Sequence, residues 1–277
     1  MPELPEVETV RLGLLPHLRE RTVTRMELRR AGLRFPFPEG FAASIEGRVI
    51  QDINRRGKYL LLRLEGGLVW RVHLGMSGRF TLYPAGTTAM PPPGKHDHVV
   101  THLSDGGRAV FSDPRRFGFM DLATAADAES GRGLEKLGPE PLEPAFDGTV
   151  LHAAMTGRGR SLKALLMDQR VVAGLGNIYV CEALWEAGLS PLRDRLNKRQ
   201  ADRLAAAIRN VLTRAIAAGG SSLRDYRQAD GQLGYFQHRW RAYGRGGQPC
   251  GKTGCGGTIL RTVQNGRSSF HCPAHQK

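Results

Sequence analysis

Acidic residues are scarce in this sequence and absent from its last part. The 277 residues include 40 Lys and Arg but only 26 Asp and Glu, which gives a net charge of +14 at pH 7 and an isoelectric point near 10.3. No Asp or Glu follows Gly231, whereas basic residues continue to the end: Arg239, Arg241, Arg245, Lys252, Arg261, Arg267 and Lys277. A surface that only needs to be soluble mixes both signs. The imbalance argues against acidic or neutral partners and indicates a polyanion such as nucleic acid.

Long apolar runs are also missing from the chain. No stretch approaches the roughly 20 apolar residues that cross a membrane, and the first residues lack the basic-then-apolar layout of a signal peptide. With 40% hydrophobic and 24% charged residues, the composition is that of a globular protein long enough for two or three packed units. We therefore expect a cytoplasmic protein that has no membrane partner. We also expect it to act as a monomer.

Cysteine occurs only four times, and three of the four fall in a pattern typical of a metal site. The pattern is C-x4-C-x16-C-x2-H and comprises Cys250, Cys255, Cys272 and His275. Two ligand pairs separated by a loop, with Gly256-Gly257 and Asn265-Gly266 as turns, predict a zinc ribbon that binds one structural Zn²⁺. Thiolates in a reducing cytosol favour this over a disulfide. The alternative is three unrelated cysteines and a histidine that happens to follow them.

The opening residues combine a proline with two carboxylates. Removal of Met1 would make Pro2 the N-terminal residue, and a terminal amine has a pKa of about 7.7–8.0 against about 10.4 for lysine. More of it is therefore free base at neutral pH, which favours attack on a carbonyl-like carbon. A helix predicted over Pro5–Pro16 would place Glu3 and Glu6 on one side, where Glu3 could exchange protons. An ordinary helix start explains the same residues.

The first half of the chain is dominated by short apolar segments with turn residues between them. This pattern predicts an antiparallel β-sandwich, with a Pro- and Gly-rich loop over Ala85–Gly94. The predicted strands are Thr22–Leu28, Tyr59–Leu64, Leu68–Leu74, Arg79–Tyr83, Val99–Leu103, Ala109–Ser112 and Phe117–Leu122.

A proline-rich stretch, Leu137–Pro144, separates these strands from a helical region. Its three prolines disfavour both helix and strand, which predicts a linker. The predicted helices are Thr149–Met155, Ser161–Asp168, Ile178–Ala187 and Lys198–Ala218. We therefore divide the chain into residues 1–136 (a β-sandwich domain with flanking helices), 137–148 (the linker), 149–236 (the helical domain) and 237–277 (a β-hairpin zinc finger). Cys181 is predicted to be a small buried residue.

The turn Gly174-Leu175-Gly176-Asn177 lies between two predicted helices. It lacks the preceding strand and the third glycine of a dinucleotide-binding motif. Its glycines would let the backbone approach a phosphate, and Asn177 as the N-cap would leave helix-start amides pointing at that phosphate. A tight helix–helix turn capped by Asn explains the residues equally well.

Several segments together resemble the bacterial formamidopyrimidine-DNA glycosylase family. They occur in the expected order over essentially the whole chain, and they are Met1–Thr9, Gly57–Leu60, His73–Gly78, Lys95–His98, Asp113–Gly118, Gly174–Tyr179 and the C-terminal ribbon. The resemblance implies a multidomain α and β protein in which the helical domain is a helix–two-turn–helix module. It also implies a base-excision repair enzyme that flips oxidised purines, 8-oxoguanine and formamidopyrimidines, out of duplex DNA, excises them and cuts the strand by β,δ-elimination.

The resemblance also implies roles for individual catalytic residues. Pro2 is similar to the nucleophile that forms a covalent iminium with the opened sugar. Glu3 matches the residue that protonates the sugar ring oxygen, and Glu6 matches a second carboxylate of the same site. Lys58 matches a strand-borne lysine that assists elimination. Arg267 matches the finger arginine that contacts phosphates beside the lesion and is linked to δ-elimination.

The same resemblance implies DNA contacts. Met76, Arg115 and Phe117 resemble a wedge that fills the space of the flipped nucleotide, and the loop Ser221–Gly234 resembles one that closes over the extruded base. For the two apolar wedge residues the alternative is core packing. The remaining predicted contacts, mostly with phosphates, are His73, His96, Arg158, Arg160, Lys163 and Asn177.

Two features of the C-terminal ribbon depart from the usual pattern of the family. The ribbon usually carries two C-x2-C pairs, whereas here the first spacing is four and the last ligand is His275, although Cys3His is an ordinary structural zinc set. The endonuclease VIII branch, which prefers oxidised pyrimidines, usually opens Pro-Glu-Gly-Pro-Glu, and Leu4 argues against it. A non-catalytic DNA-binding protein would not need the combination of Pro2, Glu3, Glu6 and Lys58.

Overall fold

The computed structural model describes residues 1–88, 90–156, 159–221 and 235–277. They form two compact units: Met1–Glu135 with Gly219–Tyr235, and Lys136–Ala218 with Phe236–Lys277. The predicted contact Arg158 and the predicted loop after Ser221 lie outside the described residues. The division into four segments stays a prediction.

The first unit begins with helix α1, Leu4–Leu18. Its first turn is closed by a capping box, in which Glu3 is the N-cap and its backbone N–H donates to Glu6 Oε2 at 2.9 Å. The apolar face formed by Val7, Val10 and Leu14 is buried, and burial of each such side chain contributes about 1.5–3 kcal/mol to stability. The capping box therefore fixes the start of the helix while the apolar face fixes its orientation in the unit.

Eight strands of the first unit form the predicted antiparallel sandwich within the described residues. They are β1 (Arg21–Leu28), β2 (Val49–Arg56), β3 (Tyr59–Leu64), β4 (Leu68–His73), β5 (Arg79–Tyr83), β6 (Asp97–Leu103), β7 (Arg108–Ser112) and β8 (Phe119–Thr124). Their order is β5-β7-β6-β1-β2-β3-β4-β8. Strand β1 joins two sheets, because Arg21 and Thr22 pair with β2 whereas Val23–Leu28 pair with β6. A short helix, α2 (Phe41–Ile45), connects β1 to β2.

Two strand assignments from the sequence were incomplete. Strand β2 was missed because it is largely polar, yet it pairs with β3 from Ile50 to Arg56 and buries Ile50 and Ile53. The last strand begins at Phe119 instead of Phe117, since Gly118 N donates to Asp113 Oδ2 at 2.8 Å and keeps the preceding residues in a loop.

The second unit contains the remaining helices. They are α3 (Gly148–Met155), α4 (Leu162–Leu166), α5 (Asn177–Ala187) and α6 (Lys198–Ala217). Helix α4 is shorter than predicted because Met167 and the residues after it enter a turn. In that turn Gln169 donates to Leu175 O at 2.7 Å and accepts from Gly174 N at 2.9 Å. This amide holds the chain between α4 and α5.

The prediction that Asn177 caps α5 was wrong. The N-cap is Gly176, in extended conformation, and Asn177 is the first helical residue. Its side-chain Nδ2 instead donates to Ser268 O at 3.0 Å.

The C-terminal part of the second unit is the predicted hairpin, with β9 (Leu260–Gln264) paired to β10 (Arg267–His271). The chain that leads to it is fixed to α5 by Glu182, a buried carboxylate that accepts from the backbone N–H groups of Arg241, Ala242 and Tyr243 at 2.8–2.9 Å. An unpaired carboxylate would be costly in such a position. The three amides explain how it is accommodated.

None of the described helices is long and apolar enough to cross a membrane.

Candidate catalytic centre and nucleic-acid interface

The N-terminal amine lies among the acids that the sequence pointed to. In this structure it is the amine of Met1, which precedes the buried residues Pro2, Glu3 and Glu6. Its pKa is lowered from the ordinary value of 8.0, because burial disfavours the ammonium form, although Glu3 and Glu6 oppose this effect. Lys58 and Arg115 also act on the amine and lower its pKa further. An amine in this environment is deprotonated more readily than a free chain terminus.

Glu6 holds the start of α1 in place. Its Oε2 accepts from the backbone N–H of Glu3 at 2.9 Å, and its Oε1 accepts from the backbone N–H of Ser221 at 2.8 Å. Gly220 packs against the same side chain, where an added Cβ would lie 3.1 Å from Glu6 Oε1. Glu6 therefore ties the N-terminal residues to Ser221.

Lys58 lies in the turn between β2 and β3, one residue before the strand on which the sequence had placed it. Its side chain is buried. It is close enough to His73, at the end of β4, to lower the pKa of that imidazole. The buried lysine therefore faces the same region of the first unit as the N-terminal amine.

His73, predicted as a DNA contact, is built into the protein. Its ring stacks on Phe119 with centroids 5.4 Å apart, and its Nδ1 accepts from Gly75 N at 3.0 Å. Burial, followed by Lys58 and Arg34, lowers its pKa from 6.5 to about 4. The imidazole is therefore neutral at neutral pH and fixes the turn that carries Met76.

Replacement of His73 by Asn should flatten the pH dependence of stability. The unfolded chain takes up a proton on this histidine near pH 6.5 and the folded chain only near 4. The free energy of unfolding should thus fall as pH drops through this window, by on the order of 3 kcal/mol from His73. Urea unfolding between pH 7 and 4 measures the slope.

His73→Gln is the matched control for this experiment. Neither amide titrates, so both variants should lose the same part of the slope. Asn should remain more stable at pH 7 because its oxygen can replace Nδ1 as the acceptor for Gly75 N. An unchanged slope in His73→Asn would contradict the assignment.

The three predicted wedge residues lie on two neighbouring loops. Phe117 is 45% exposed, and the Arg115 guanidinium lies 5.0 Å from its ring centroid. A depression of about 500 Å³ beside them is lined by Leu33, Arg34, Arg115, Arg116 and Phe117. Three guanidinium groups and an exposed ring can stack on a base and hydrogen-bond to it. For Phe117 the core-packing alternative does not hold.

A second cluster, in the other unit, surrounds Arg267. Arg267 is exposed at the start of β10. The neighbouring Ser268 carbonyl accepts from Lys163 Nζ at 2.8 Å and from Asn177 Nδ2 at 3.0 Å, and Lys163 Nζ also donates to Ser269 Oγ at 2.7 Å. The structure thus brings together Arg267, Lys163 and Asn177. Arg267 extends from the surface, whereas Lys163 is 2% exposed and its ammonium binds the hairpin.

Two further predicted phosphate contacts, His96 and Arg160, lie at the surface. His96 is exposed and precedes β6, and its carbonyl accepts from Asp113 N at 3.0 Å. Arg160 is exposed in the second unit, with one guanidinium nitrogen 3.5 Å from Asp168. Both side chains are accessible to a ligand.

Three of the four predicted metal ligands meet in the second unit. The Sγ atoms of Cys250, Cys255 and Cys272 lie within 4.8 Å of one another. The Cys255 and Cys272 sulfurs are 3.7 Å apart, close to the ~3.8 Å expected for two thiolates about 2.3 Å from a tetrahedral zinc ion. The donor set and this distance fit Zn²⁺.

His275 is not part of the cysteine cluster among the described residues. Its Nε2 makes a 2.7 Å hydrogen bond with Trp185 O, and the Trp185 indole donates to Cys250 Sγ at 3.2 Å. Burial raises the pKa of the Cys250 thiol, but hydrogen bonds from the Lys252 backbone and from Trp185 outweigh it and lower the pKa. Trp185 therefore contacts both ends of the ribbon.

An arginine-lined depression of about 750 Å³ in the second unit was not predicted from the sequence. Its wall includes Arg214, Arg239, Arg241 and Arg245 together with Trp240 and Tyr243. The absence of acidic residues after Gly231 was the signal that could have found it. It adds a further basic surface to the unit that carries Arg267.

The chain matches two family models and is similar to known proteins over its whole length. The model of the formamidopyrimidine-DNA glycosylase N-terminal domain matches residues 1–120, and that of the formamidopyrimidine-DNA glycosylase H2TH domain matches residues 137–227. The chain is 53% identical to a formamidopyrimidine-DNA glycosylase of Chelativorans sp. (strain BNC1), with 100% of both sequences covered.

Solved structures are similar over the whole chain. The MutM (Fpg) protein from Thermus thermophilus matches with a TM-score of 0.86 and 42% identity, covering 99% of this chain and 98% of that one. Wild-type Lactococcus lactis Fpg (MutM), in complex with DNA containing N7-benzyl-Fapy-dG, matches with a TM-score of 0.89 and 33% identity, covering 100% of both chains.

The fold and the buried acids beside the N-terminal amine define a DNA glycosylase of the helix–two-turn–helix class. The chain belongs to the formamidopyrimidine-DNA glycosylase family and is an enzyme of that family.

Proposed function

We propose that this chain is a bifunctional DNA glycosylase and AP lyase that excises 8-oxoguanine and formamidopyrimidines from duplex DNA. The observation that carries the proposal is the environment of the N-terminal amine, where burial lowers the pKa and Glu3, Glu6, Lys58 and Arg115 lie close. Such an amine is a nucleophile at neutral pH. The relatives with this fold include one bound to DNA that contains a modified formamidopyrimidine and one bound to DNA that contains an abasic site.

Removal of Met1 gives the proposed nucleophile its position. Met1 is 40% exposed, whereas Pro2 is buried beside the two acids. Loss of Met1 converts the Pro2 nitrogen from an amide into a secondary amine at this inner position. The surroundings that lower the pKa of the Met1 amine should act on the Pro2 amine in the same direction.

In the proposed first half of the reaction, the amine of Pro2 bonds to C1′ of the damaged nucleotide, and the base leaves with the electron pair of its bond to C1′. The proton that the amine loses goes to the departing base. Glu3, in its protonated form, then gives a proton to the ring oxygen O4′, and the C1′–O4′ bond breaks. The nitrogen lone pair forms the iminium. Glu6, whose two oxygens accept from backbone N–H groups, keeps Glu3 and the amine in position.

In the proposed second half, the iminium acidifies the C–H at C2′. Removal of that proton expels the 3′ phosphate by β-elimination, and a further elimination expels the 5′ phosphate. Lys58 assists these proton transfers, and Arg267 contacts the phosphates that flank the lesion. Water as the nucleophile would stop at the abasic site, so strand cleavage distinguishes the amine mechanism.

The proposed DNA contacts fall into two groups. Met76, Arg115 and Phe117 enter the duplex and occupy the space that the flipped nucleotide leaves. Phosphates contact Arg267, Asn177, His96, Arg160 and Arg158. Lys163 supports this second group by binding the Ser268 carbonyl and the Ser269 hydroxyl, so its contribution to DNA binding is indirect. His73 likewise acts by fixing the Met76 turn.

The proposed cofactor is one structural zinc ion. Cys250, Cys255 and Cys272 supply thiolates, and His275 is proposed as the fourth ligand. Its Nε2 is held by Trp185 O, so coordination would fall to Nδ1. A histidine ligand ordinarily uses its second nitrogen in this way, as a hydrogen-bond donor to a carbonyl. The ion stabilises the ribbon and takes no part in the chemistry.

Borohydride trapping tests the proposed activity. Incubation with duplex DNA carrying 8-oxoguanine opposite cytosine, followed by borohydride, should give a covalent protein–DNA adduct, because hydride reduces the iminium to a stable amine. A duplex with guanine in place of the lesion is the control. Tight binding without adduct or strand cleavage would instead indicate a non-catalytic DNA-binding protein. Faster trapping on oxidised pyrimidines would favour the endonuclease VIII specificity.

A further inference from the structure

The two loops that carry the wedge residues are joined by a buried carboxylate. Asp113 is 0% exposed, and its side chain accepts from groups of both loops. Its Oδ1 accepts from Ser77 Oγ at 2.5 Å, and its Oδ2 accepts from Gly118 N at 2.8 Å. Ser77 follows Met76, and Gly118 follows Phe117. The same carboxylate thus contacts the residue next to each apolar wedge side chain.

Ser77 completes a closed network. Its hydroxyl donates to Asp113 and accepts from the backbone N–H of Arg115 at 3.1 Å. All three wedge residues are therefore adjacent in sequence to, or part of, this network. We name it the Asp113 network, defined as the Asp113 carboxylate with Ser77 Oγ, Gly118 N and Arg115 N.

The backbones of the two loops are also in direct contact. Gly75 has a φ of +62°, and a Cβ added to it would lie 2.3 Å from Gly118 N and from Phe117 C. No side chain fits there. The contact leaves no space for one loop to move toward the other, and the turn at Gly75 is further fixed by the His73 Nδ1 acceptor.

The backbone of Asp113 is also fixed by hydrogen bonds. The Asp113 carbonyl makes a 3.0 Å hydrogen bond with His98 Nε2, and Asp113 N donates to His96 O at 3.0 Å. Arg116, between Arg115 and Phe117, has a φ of +55°. This conformation costs a non-glycine residue of order 1–3 kcal/mol and persists only where the surrounding structure imposes it. The left-handed backbone of Arg116 therefore indicates that contacts outside its own turn fix this loop.

We infer that the Asp113 network is the positioning device of the wedge: it holds Met76, Arg115 and Phe117 in one fixed arrangement before DNA binds. The inference rests on the proposed function, because it assigns the wedge its role in base extrusion. Ser77 and Asp113 touch no reacting atom. They act through the three side chains that enter the duplex, so their loss should slow extrusion and leave the chemistry at the sugar intact.

Ser77→Ala tests this inference. The change removes the donor to Asp113 Oδ1 and the acceptor of Arg115 N. Single-turnover excision of 8-oxoguanine should fall roughly ten- to a hundredfold, since displacement of a positioning group by about 1 Å can cost a hundredfold. A preformed abasic site holds no base to extrude. The rate of strand cleavage at such a site should therefore change by less than about threefold.

Ser112→Ala is the matched control. Ser112 is also a buried serine that hydrogen-bonds to an aspartate, Asp97, in the same unit. It precedes Asp113 in the chain, but its hydroxyl hydrogen-bonds outside the Asp113 network. Asp113→Asn is the second variant. The side-chain oxygen of the new asparagine can still accept from Ser77 Oγ, but its NH₂ group would face the backbone N–H of Gly118, which is also a donor. Thermal unfolding of all three variants separates loss of folding from loss of positioning.

A substrate whose lesion is easier to extrude separates a positioning role from a purely structural role. A lesion opposite a mismatched base costs less to extrude, so the mismatch should restore most of the excision rate of Ser77→Ala. Fluorescence of 2-aminopurine beside the lesion should report slower unstacking for this variant.

Two outcomes would overturn the inference: equal excision by Ser77→Ala and Ser112→Ala, or an equal loss of excision and abasic-site cleavage in Ser77→Ala. Absence of both activities in the unmodified protein would instead refute the proposed function.

Discussion

A chain with one alanine inserted between Met1 and Pro2 should bind lesion DNA but form no covalent adduct. After removal of Met1 the terminal amine would belong to the alanine, and the Pro2 nitrogen would be a tertiary amide without nucleophilic character. Adduct formation should fall by at least about a thousandfold, which corresponds to about 4 kcal/mol of transition-state stabilisation. Gel trapping with borohydride measures it, and fluorescence anisotropy measures DNA affinity.

The difference between the first two positions of the chain is the reason for this large effect. Pro2 is buried beside Glu3 and Glu6, whereas Met1, whose place the alanine would take, is 40% exposed. The reactive amine would thus move outward by one residue, while the basic surfaces proposed to contact phosphates remain. Since burial lowers the pKa of the Met1 amine at this end of the chain, we expect the same direction for the Pro2 amine: the rate of trapping by the unmodified protein should rise with pH through a midpoint below the pKa of the same amine in the unfolded chain.

An alanine added after Lys277 is the matched control and should leave trapping unchanged. If the chain extended at its N-terminus still formed the adduct at the normal rate, an amine other than that of Pro2 would have to be the nucleophile. Lys58 would then be the first candidate, since it is buried close to the same place.

Replacement of Cys272 by alanine should abolish high-affinity zinc binding and most of the affinity for DNA. The three-cysteine cluster would lose one thiolate, and structural zinc contributes on the order of 10 kcal/mol to folding of small zinc domains. Strand β10, which begins at Arg267, leads directly to Cys272. Without the ion the hairpin should no longer present Arg267. Zinc content by atomic emission and DNA affinity by anisotropy measure the two effects.

Cys181→Ala provides the matched control, because Cys181 is also buried but lies in helix α5 outside the cluster. It should retain zinc. The unit that carries the amine should remain folded in both variants, as judged by circular dichroism of the β-sheet. Unchanged zinc content in Cys272→Ala would contradict the cluster as the metal site.

Cobalt substitution decides the fourth ligand. Co²⁺ bound by three thiolates and an imidazole gives visible bands that should shift in His275→Ala, with weaker binding. Trp185→Phe removes the indole N–H that contacts Cys250 Sγ and leaves the backbone carbonyl that holds His275. It should weaken binding less. Identical cobalt spectra for His275→Ala and the unmodified protein would exclude His275 from the ligand set.

Local chemistry made much of the fold predictable. The turns at Gly66-Gly67 and Gly106 use left-handed glycines, and their hairpins were found from the sequence for that reason. The apolar stripe of α6 gave a helix of nearly the correct length. Strand β2 was missed because its stability comes from hydrogen bonds to neighbouring strands and two buried isoleucines, neither of which a local polar pattern reveals.

The candidate site was predictable where one residue type has one chemistry. A proline amine beside acids and a cysteine pattern could be read directly, and the acids near the chain terminus and the cysteine cluster lie together as expected. The wedge residues were predicted from the family resemblance. The contacts that could not be predicted were those of residues with several possible partners. Lys163 binds a carbonyl and a hydroxyl inside the protein, and Asn177 reaches the hairpin instead of capping its helix.

The sequence alone therefore determined the family, the proline at position 2 and the cysteines that meet, because these depend on residue type and order. Tertiary structure alone decided that Glu6 holds the backbone of Ser221, that His73 is neutral and that Asp113 joins Ser77 to Gly118. Each of these depends on which distant group reaches a buried polar atom. Such pairing leaves little trace in a sequence pattern but costs about 1–3 kcal/mol if it is lost, and it is what places the first residues of the chain where an amine can act.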